Sequence, residues 1–337
     1  MRIAVIGFGY WGKILSRCLS GVPGLDLSLI ADIDPVRREE ARRRFPDAGL
    51  ATGPAELWGS GPLDAVAIAT PANTHYDLAR AALDAGKHVW IEKPVAETAD
   101  QARALVMLAQ QRRRTLFIDH TFLYSDSIRL IKRMLVRRDF AGLCRYESVR
   151  TNNGRSRQDA SIFHDLAIHD LAILDFLVGE SPLAVSTRAL PAPGAAVPGD
   201  QHIMLSYASG VRADIRVNWS AAAKARRIVV SSDRQAVEFD DLEQHHKVRL
   251  HEFPFAEAPG GDGFHDLDAD RHKARVLPLH RQKETLANAV ECFLHCIRTG
   301  ERPVSDGWQG VRLATIVEAC LSSGRAGGRW IPAMTAA

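Results

Sequence analysis

Six residues near the start constrain this chain more than any others: Gly7-Phe8-Gly9-Tyr10-Trp11-Gly12. They lie between an apolar run at 2–6, which reads as a buried strand, and a helical pattern at 11–20. A phosphate-binding turn in that position uses each glycine differently. Gly7 makes the tight turn off the strand, Gly9 lets a pyrophosphate approach the backbone, and Gly12 lets helix and strand pack so that the helix N-terminus faces the phosphates. The full fingerprint also needs an acidic residue after a second strand, about 20 residues on. Asp32 stands there, closing the run at 27–31. The competing reading is a glycine-rich turn in a doubly wound protein that binds no nucleotide.

Strand and helix alternate through the first third. Strands are expected at 2–6, 27–31, 65–69, 88–91 and 115–118, with helices at 11–20, 35–45, 75–86 and 98–111. That rhythm predicts an α/β Rossmann domain, a doubly wound parallel sheet, over residues 1–121. Thr98-Ala99-Asp100-Gln101 fits a capping box. Beyond it the pattern changes. Helices are expected at 125–138, 161–178, 284–298 and 307–323, and strands at 143–151, 211–219, 227–230 and 235–239. Residues 211–219 alternate strictly, as an antiparallel strand with one buried face does. Residues 122–337 are therefore expected to form an α+β domain with a large, mainly antiparallel sheet, and 254–283 a long loop, lid or oligomer arm.

Composition narrows the class. A net charge of +3 is too small to point to nucleic acid, and no apolar run is long enough to span a bilayer. Five cysteines without framework spacing fit a reducing compartment, so a cytoplasmic protein is expected. Cys292, His295 and Cys296 fall within one helical turn but lack a full ligand set, so no metal is expected.

Three further stations bear chemistry. Thr70-Pro71-Ala72-Asn73-Thr74-His75 follows the strand at 65–69, where ligands of doubly wound sheets bind. Thr70, Pro71, Asn73 and His75 are cofactor-binding candidates there; a plain turn capped at Asn73 or Thr74 describes the same residues. Glu92-Lys93-Pro94 ends the next strand and puts a lysine where it can polarise a hydroxyl or carbonyl; a surface lysine is the alternative. His164-Asp165-Leu166-Ala167-Ile168-His169-Asp170 puts Asp165 and His169 one turn apart on an apolar helix. A carboxylate beside an imidazole suits a general base, and equally a structural ion pair.

These motifs, in this order, resemble those of the glucose–fructose oxidoreductase/inositol dehydrogenase (Gfo/Idh/MocA) family over nearly the whole chain. The turn at 300–307 also resembles the family's. The resemblance implies hydride transfer at a carbon bearing a hydroxyl or keto group of a sugar or cyclitol. It carries Lys93 and His169 over as the catalytic pair, with Asp165 as partner of His169, and implies a homodimer or homotetramer built through the C-terminal sheet. Ser161, Phe163 and Ala167 stand where many members have glycine. Asp119-His120 stands where many have Asn-Arg, as in a subgroup associated with nucleotide-sugar or surface-polysaccharide pathways.

Asp32 should accept from a ribose 2′-hydroxyl and repel a 2′-phosphate, while Ile33 offers a phosphate no donor. NAD is therefore expected over NADP, with Arg37 and Arg38 as the reservation. Phe8, Tyr10, Trp11, Ile33, Arg37, Glu92, Lys93 and Pro94 join the glycines as cofactor-binding candidates. Lys93, His120, Tyr124, Arg150, Asn152, Asn153, His164, Asp165, His169 and Asp170 are candidates for a small carbohydrate or cyclitol substrate. The function expected is an NAD-dependent sugar-type dehydrogenase or reductase. The alternatives are an enzyme with tightly held NAD catalysing redox-assisted elimination or hydrolysis, and a non-enzymatic nucleotide sensor.

Overall fold

The structure is a computed structural model that describes all residues except 60, 138–139, 141, 154–160, 191–198, 253–272, 280–282 and 334–337. In chain order the elements begin β1 (Arg2–Ile6), α1 (Tyr10–Ser20), β2 (Asp26–Ala31), α2 (Pro35–Arg44), β3 (Gly49–Ala51), α3 (Pro54–Gly59), β4 (Ala65–Ile68), α4 (His75–Asp84), β5 (His88–Glu92), α5 (Ala99–Arg112) and β6 (Leu116–Asp119). They continue with α6 (Asp126–Val136), β7 (Arg145–Asn153), α7 (Ile168–Val178), β8 (Ala184–Leu190), β9 (Asp200–Ser206), β10 (Arg212–Asn218), β11 (Ser220–Ser231), β12 (Gln235–Asp240), β13 (Val248–Glu252), β14 (Lys273–Val276), α8 (Thr285–Thr299), α9 (Gly307–Arg325) and β15 (Ile331–Pro332). None of the described helices is long and apolar enough to cross a membrane.

The chain packs as two compact units. The first is Met1–Ser125 with Lys283–Glu318, and the second is Asp126–Gln282 with Ala319–Ala337. The division expected at 121–122 follows the change in periodicity; contact packing also returns α8 and the start of α9 to the first unit.

In the first unit six parallel strands run in the order β3-β2-β1-β4-β5-β6. This is the doubly wound order whose reversal, between β1 and β4, opens a crevice at the strands' carboxyl ends. The strands are continuous apolar runs because both faces are covered. One face buries Val66, Ile68, Val89 and Ile91 with Leu105, Val106 and Val311. On the other face Trp90 stacks on Phe117 at 4.3 Å, Phe117 stacks on Tyr124 at 5.3 Å, and Phe293 of α8 meets Trp90 edge-on at 5.6 Å. Such pairs each contribute roughly 0.5–1.5 kcal/mol beyond area burial. Local signals work as expected: Asp34 caps α2 by accepting from Val36 N–H at 2.8 Å, with Pro35 in the first turn. Thr98 accepts from Gln101 N–H at 3.2 Å, although Gln101 reaches back to Glu97 N–H rather than to Thr98.

The second unit holds a nine-stranded sheet in the order β14-β13-β12-β11-β7-β10-β9-β8-β15. It is antiparallel except for the β7–β10 pair, which runs parallel. β10 buries Ala213, Ile215 and Val217 and turns Arg212, Asp214, Arg216 and Asn218 outward, as its alternation requires. Ser232–Arg234 turns β11 into β12. Gly179, at φ +82°, ends α7 in the left-handed conformation that glycine adopts without strain.

Three features depart from expectation. Residues 49–51 and 54–59 form β3 and α3, too short to show a period. β14 forms at 273–276 within the stretch expected to be a loop, the rest of which lies largely outside the described residues. The helix expected over 161–178 opens as a π-turn, Phe163–Ala167, before α7 begins.

Candidate active site

The glycine turn is built as its spacing demands. Gly7 sits at φ +93°, and a Cβ there would lie 2.6 Å from Ala69 O. A Cβ on Gly12 would fall 1.9 Å from Gly7 O, so α1 can approach β1 only because residue 12 is glycine. Gly9 differs: a Cβ there would meet nothing nearer than Arg37 Nη1 at 3.7 Å. It is also the N-cap of α1 and, as glycine, supplies no side-chain cap to the N–H groups at the helix start. This is the arrangement a pyrophosphate needs.

Asp32 is buried and ties this turn down. Its Oδ2 accepts from Phe8 N–H at 2.6 Å and its Oδ1 from Asp34 N–H at 2.9 Å. Each oxygen keeps a second lone pair for a ribose hydroxyl. Arg37 Nη1 stands 3.7 Å from Asp32 Oδ2, beside Gly9, while Arg38 donates to the carbonyls of Asp32 and Ile33. Phe8 is a correction: its ring is buried edge-on against Phe45 and its N–H is spent on Asp32, so it shapes the turn from within. Tyr10, Trp11 and Ile33 are exposed around the turn.

At the end of β4, Pro71 and Asn73 are exposed and Thr70 is half-buried. Neither Asn73 nor Thr74 caps α4; Thr74 Oγ1 instead donates to Pro71 O at 2.7 Å. His75, expected near the cofactor, is 1% exposed. Its ring nitrogens lie 2.9 Å from Thr70 O and 2.7 Å from Pro94 O. Burial lowers its proton affinity, so as a neutral ring it donates to one carbonyl and braces the two loops from behind. Lys93 and Pro94 are half-buried at the end of β5. Glu92 is buried opposite Asp119.

Tyr124, expected to touch substrate, is fully buried, shares a 2.7 Å hydrogen bond with Ser305 and stacks on Phe117; its hydroxyl belongs to the core. His120 is buried with Nδ1 unpartnered, and burial followed by the charge of Lys93 lowers its pKa to about 3.

In the second unit, the π-turn and the start of α7 present one polar face. His164, Asp165 and His169 are half-buried, while Phe163, Leu166, Ala167, Ile168 and Asp170 are buried. π-turns often mark functional sites. Asp165 Oδ2 accepts from the indole N–H of Trp219 at 2.9 Å, and His164 Nδ1 lies 2.8 Å from Ser161 Oγ. Arg150 and Asp170, expected at the substrate, are spent on each other: Arg150 Nε donates to Asp170 Oδ2 at 2.5 Å, and both are buried. Burial opposes the arginine's charge, and the Asp170 carboxylate more than offsets that. Asn152 and Asn153 end β7, and Gly154 and Arg155 beyond them lie outside the described residues.

Sequence reasoning missed three residues. Trp219 reads as core from its alternation, and only its ring nitrogen reveals the tie to Asp165. Asp119 pairs with Glu92 because the strand register, not the spacing, brings them together. Ser305 meets Tyr124 across 181 residues. The Cys292 and Cys296 sulfurs are 3.9 Å apart, and His295 pairs instead with Glu301.

Residues 1–120 match the model of an oxidoreductase family with an NAD-binding Rossmann fold, and residues 137–238 match the GFO/IDH/MocA C-terminal domain. UDP-N-acetylglucosamine 3-dehydrogenase of Acidithiobacillus ferrooxidans is 29% identical over 327 residues, covering 93% of this chain and 94% of the relative. Inositol 2-dehydrogenase of Rhizobium meliloti is 25% identical over 337 residues, with 96% of each chain covered. The solved structure of the Acidithiobacillus enzyme superposes with a TM-score of 0.84 at 23% identity, over 97% of this chain and 98% of that one, a likeness of fold. With both halves of its fold matched, the chain belongs to the Gfo/Idh/MocA family of oxidoreductases.

Proposed function

We propose that this protein is an NAD-dependent oxidoreductase acting on a secondary alcohol, or the corresponding ketone, of a sugar or sugar-like molecule, cyclitols and nucleotide-sugars included. The observation that carries the reading is the polar face of His164, Asp165 and His169 on an otherwise buried helix. A carboxylate one turn from an imidazole on an otherwise apolar helix is the pairing that fixes a tautomer and supports proton transfer at acid–base sites.

When bound, NAD supplies a hydride acceptor, and NADH a donor. The start of α1 with Gly9 would hold the pyrophosphate, and Asp32 would accept from the ribose 2′-hydroxyl. The Asp32 carboxylate disfavours a 2′-phosphate, and Arg37 tempers that preference. Lys93 donates to the reacting oxygen and polarises it. A ring nitrogen of His169 takes the proton of the reacting hydroxyl in oxidation and returns it to the carbonyl oxygen in reduction. Asp165, held by Trp219, orients that imidazole. The outward face of the nine-stranded sheet, carrying Glu147, Val149, His202, Asp214, Arg216 and Arg227, supports assembly as a homodimer or homotetramer, which light scattering on the purified protein tests.

Lys93→Ala and His169→Ala, assayed on a substrate drawn from a panel of sugars, cyclitols and nucleotide-sugars, should each lower turnover by about 10²–10⁴-fold, the usual range for general acid–base groups. In His169→Ala, NADH affinity and melting temperature should stay unchanged. Full turnover in either variant removes the role assigned to it.

A further inference from the structure

β5 and β6 end side by side, and their last residues are register partners: Glu92 lies opposite Asp119. Side chains alternate along a strand, so both carboxyls share a sheet face with Trp90 and Phe117. Glu92 is 8% exposed and Asp119 is 3% exposed. Two carboxyls this close in a dry site do not both ionise.

The surroundings decide which one holds the charge. Thr121 Oγ1 donates to Asp119 Oδ1 at 2.6 Å. Glu92 and the indole of Trp90 also favour the ionised Asp119, as does the charge of Lys93. Burial, and then the charge of Asp119, push Glu92 well above the usual carboxylate range, whereas burial raises Asp119 only to about 6. Asp119 Oδ2, Trp90 Nε1 and His120 Nδ1 complete no hydrogen bond of ordinary geometry. These three buried polar atoms gather at the strand ends where Lys93 follows Glu92 and His120 follows Asp119.

We propose that Glu92 and Asp119 share a single proton, Glu92 holding it and Asp119 carrying the charge, and that this buried charge is the counter-ion governing the protonation of Lys93. The other groups facing the cluster are His120, held neutral, and His75, which senses Lys93 from α4. From α1, the Cys18 thiol feels Asp119 together with Glu284 and Glu291. The use of Lys93 in catalysis rests on the function proposed above; the charge arrangement stands on the first unit alone.

Competitive acetylation of the full-length protein with acetic anhydride across a pH series, read lysine by lysine by mass spectrometry, tests this without a substrate. Asp119→Asn should lower the Lys93 midpoint by about one pH unit, a tenfold change in free amine at fixed pH. Glu92→Gln should leave it in place, because the proposal gives Glu92 no charge to lose. Lys87 and Lys132 should not move in either variant. No shift in Asp119→Asn, or equal shifts in both variants, overturns the proposal. Should Asp119→Asn fail to fold, carboxyl ¹³C NMR of the wild-type protein decides: one glutamate, identified by its loss in Glu92→Gln, should stay protonated at neutral pH. If every glutamate titrates in the ordinary range, the proposal falls. The lysine shift without turnover on any substrate would instead sink the dehydrogenase reading and leave this one standing.

Discussion

Asp119 is a residue whose charge destabilises the fold that holds it. Burial raises its pKa from 3.8 to about 6, so between those values the native state binds a proton that the unfolded chain releases. Stability from this group therefore rises as pH falls through that window and is lost as pH climbs through 6. At pH 7 Asp119→Asn should be more stable than wild type by on the order of 2 kcal/mol, a difference that shrinks by pH 4; urea denaturation at both pH values measures it. Asp170 has the opposite standing. Asp170→Ala leaves the Arg150 guanidinium buried without its carboxylate and should cost about 3–5 kcal/mol in the same assay. Residue identity alone did not separate these cases. Arg150, Asp170, Tyr124 and His75 all read as ligand contacts because their chemistry suits one. Each proved to be turned inward, and side-chain direction depends on packing partners far away in sequence, as with Tyr124 and Ser305.

Elements were more legible than side chains, since hydrophobic period is a local property. β1, α1 and β2, with the glycines between them, follow from the sequence because each glycine has a steric task. Those tasks differ and can be separated. A Cβ on Gly12 collides with Gly7 O, whereas one on Gly9 meets only the tip of Arg37. Gly12→Ala should lower the melting temperature and abolish NADH binding together. Gly9→Ala should melt as wild type yet bind NADH at least tenfold more weakly, because its methyl group occupies the approach of the pyrophosphate. Equal NADH affinity in Gly9→Ala and wild type would remove the turn from the cofactor site. Short or distorted elements escaped notice: β3 spans three residues, and the π-turn at 163–167 leaves the apolar period of its helix intact.

For the whole molecule, the units are not consecutive stretches of chain. Ile118 N–H donates to Ser305 O at 3.0 Å, and Phe293 covers Trp90 and Phe117, so 283–318 completes the sheet that 1–125 begins. The fragment 1–125 should expose this aromatic face and aggregate, whereas 1–125 joined by a flexible linker to 283–318 should fold and bind NADH; circular dichroism and gel filtration of the two fragments distinguish the outcomes. The change of period near residue 121 was visible in the sequence, but the return of the chain was not, because long-range packing leaves no local pattern.

One measurement reaches the central claim most directly. The purified full-length protein is titrated with NADH and with NADPH, following nicotinamide fluorescence, and then mixed with NAD and a panel of sugars, cyclitols and nucleotide-sugars, following absorbance of the reduced nicotinamide. The account predicts tighter binding of NADH than of NADPH, and absorbance that rises with at least one panel member in wild type but not in Lys93→Ala. Failure to bind either nucleotide, or reduction that persists undiminished in Lys93→Ala, would contradict it.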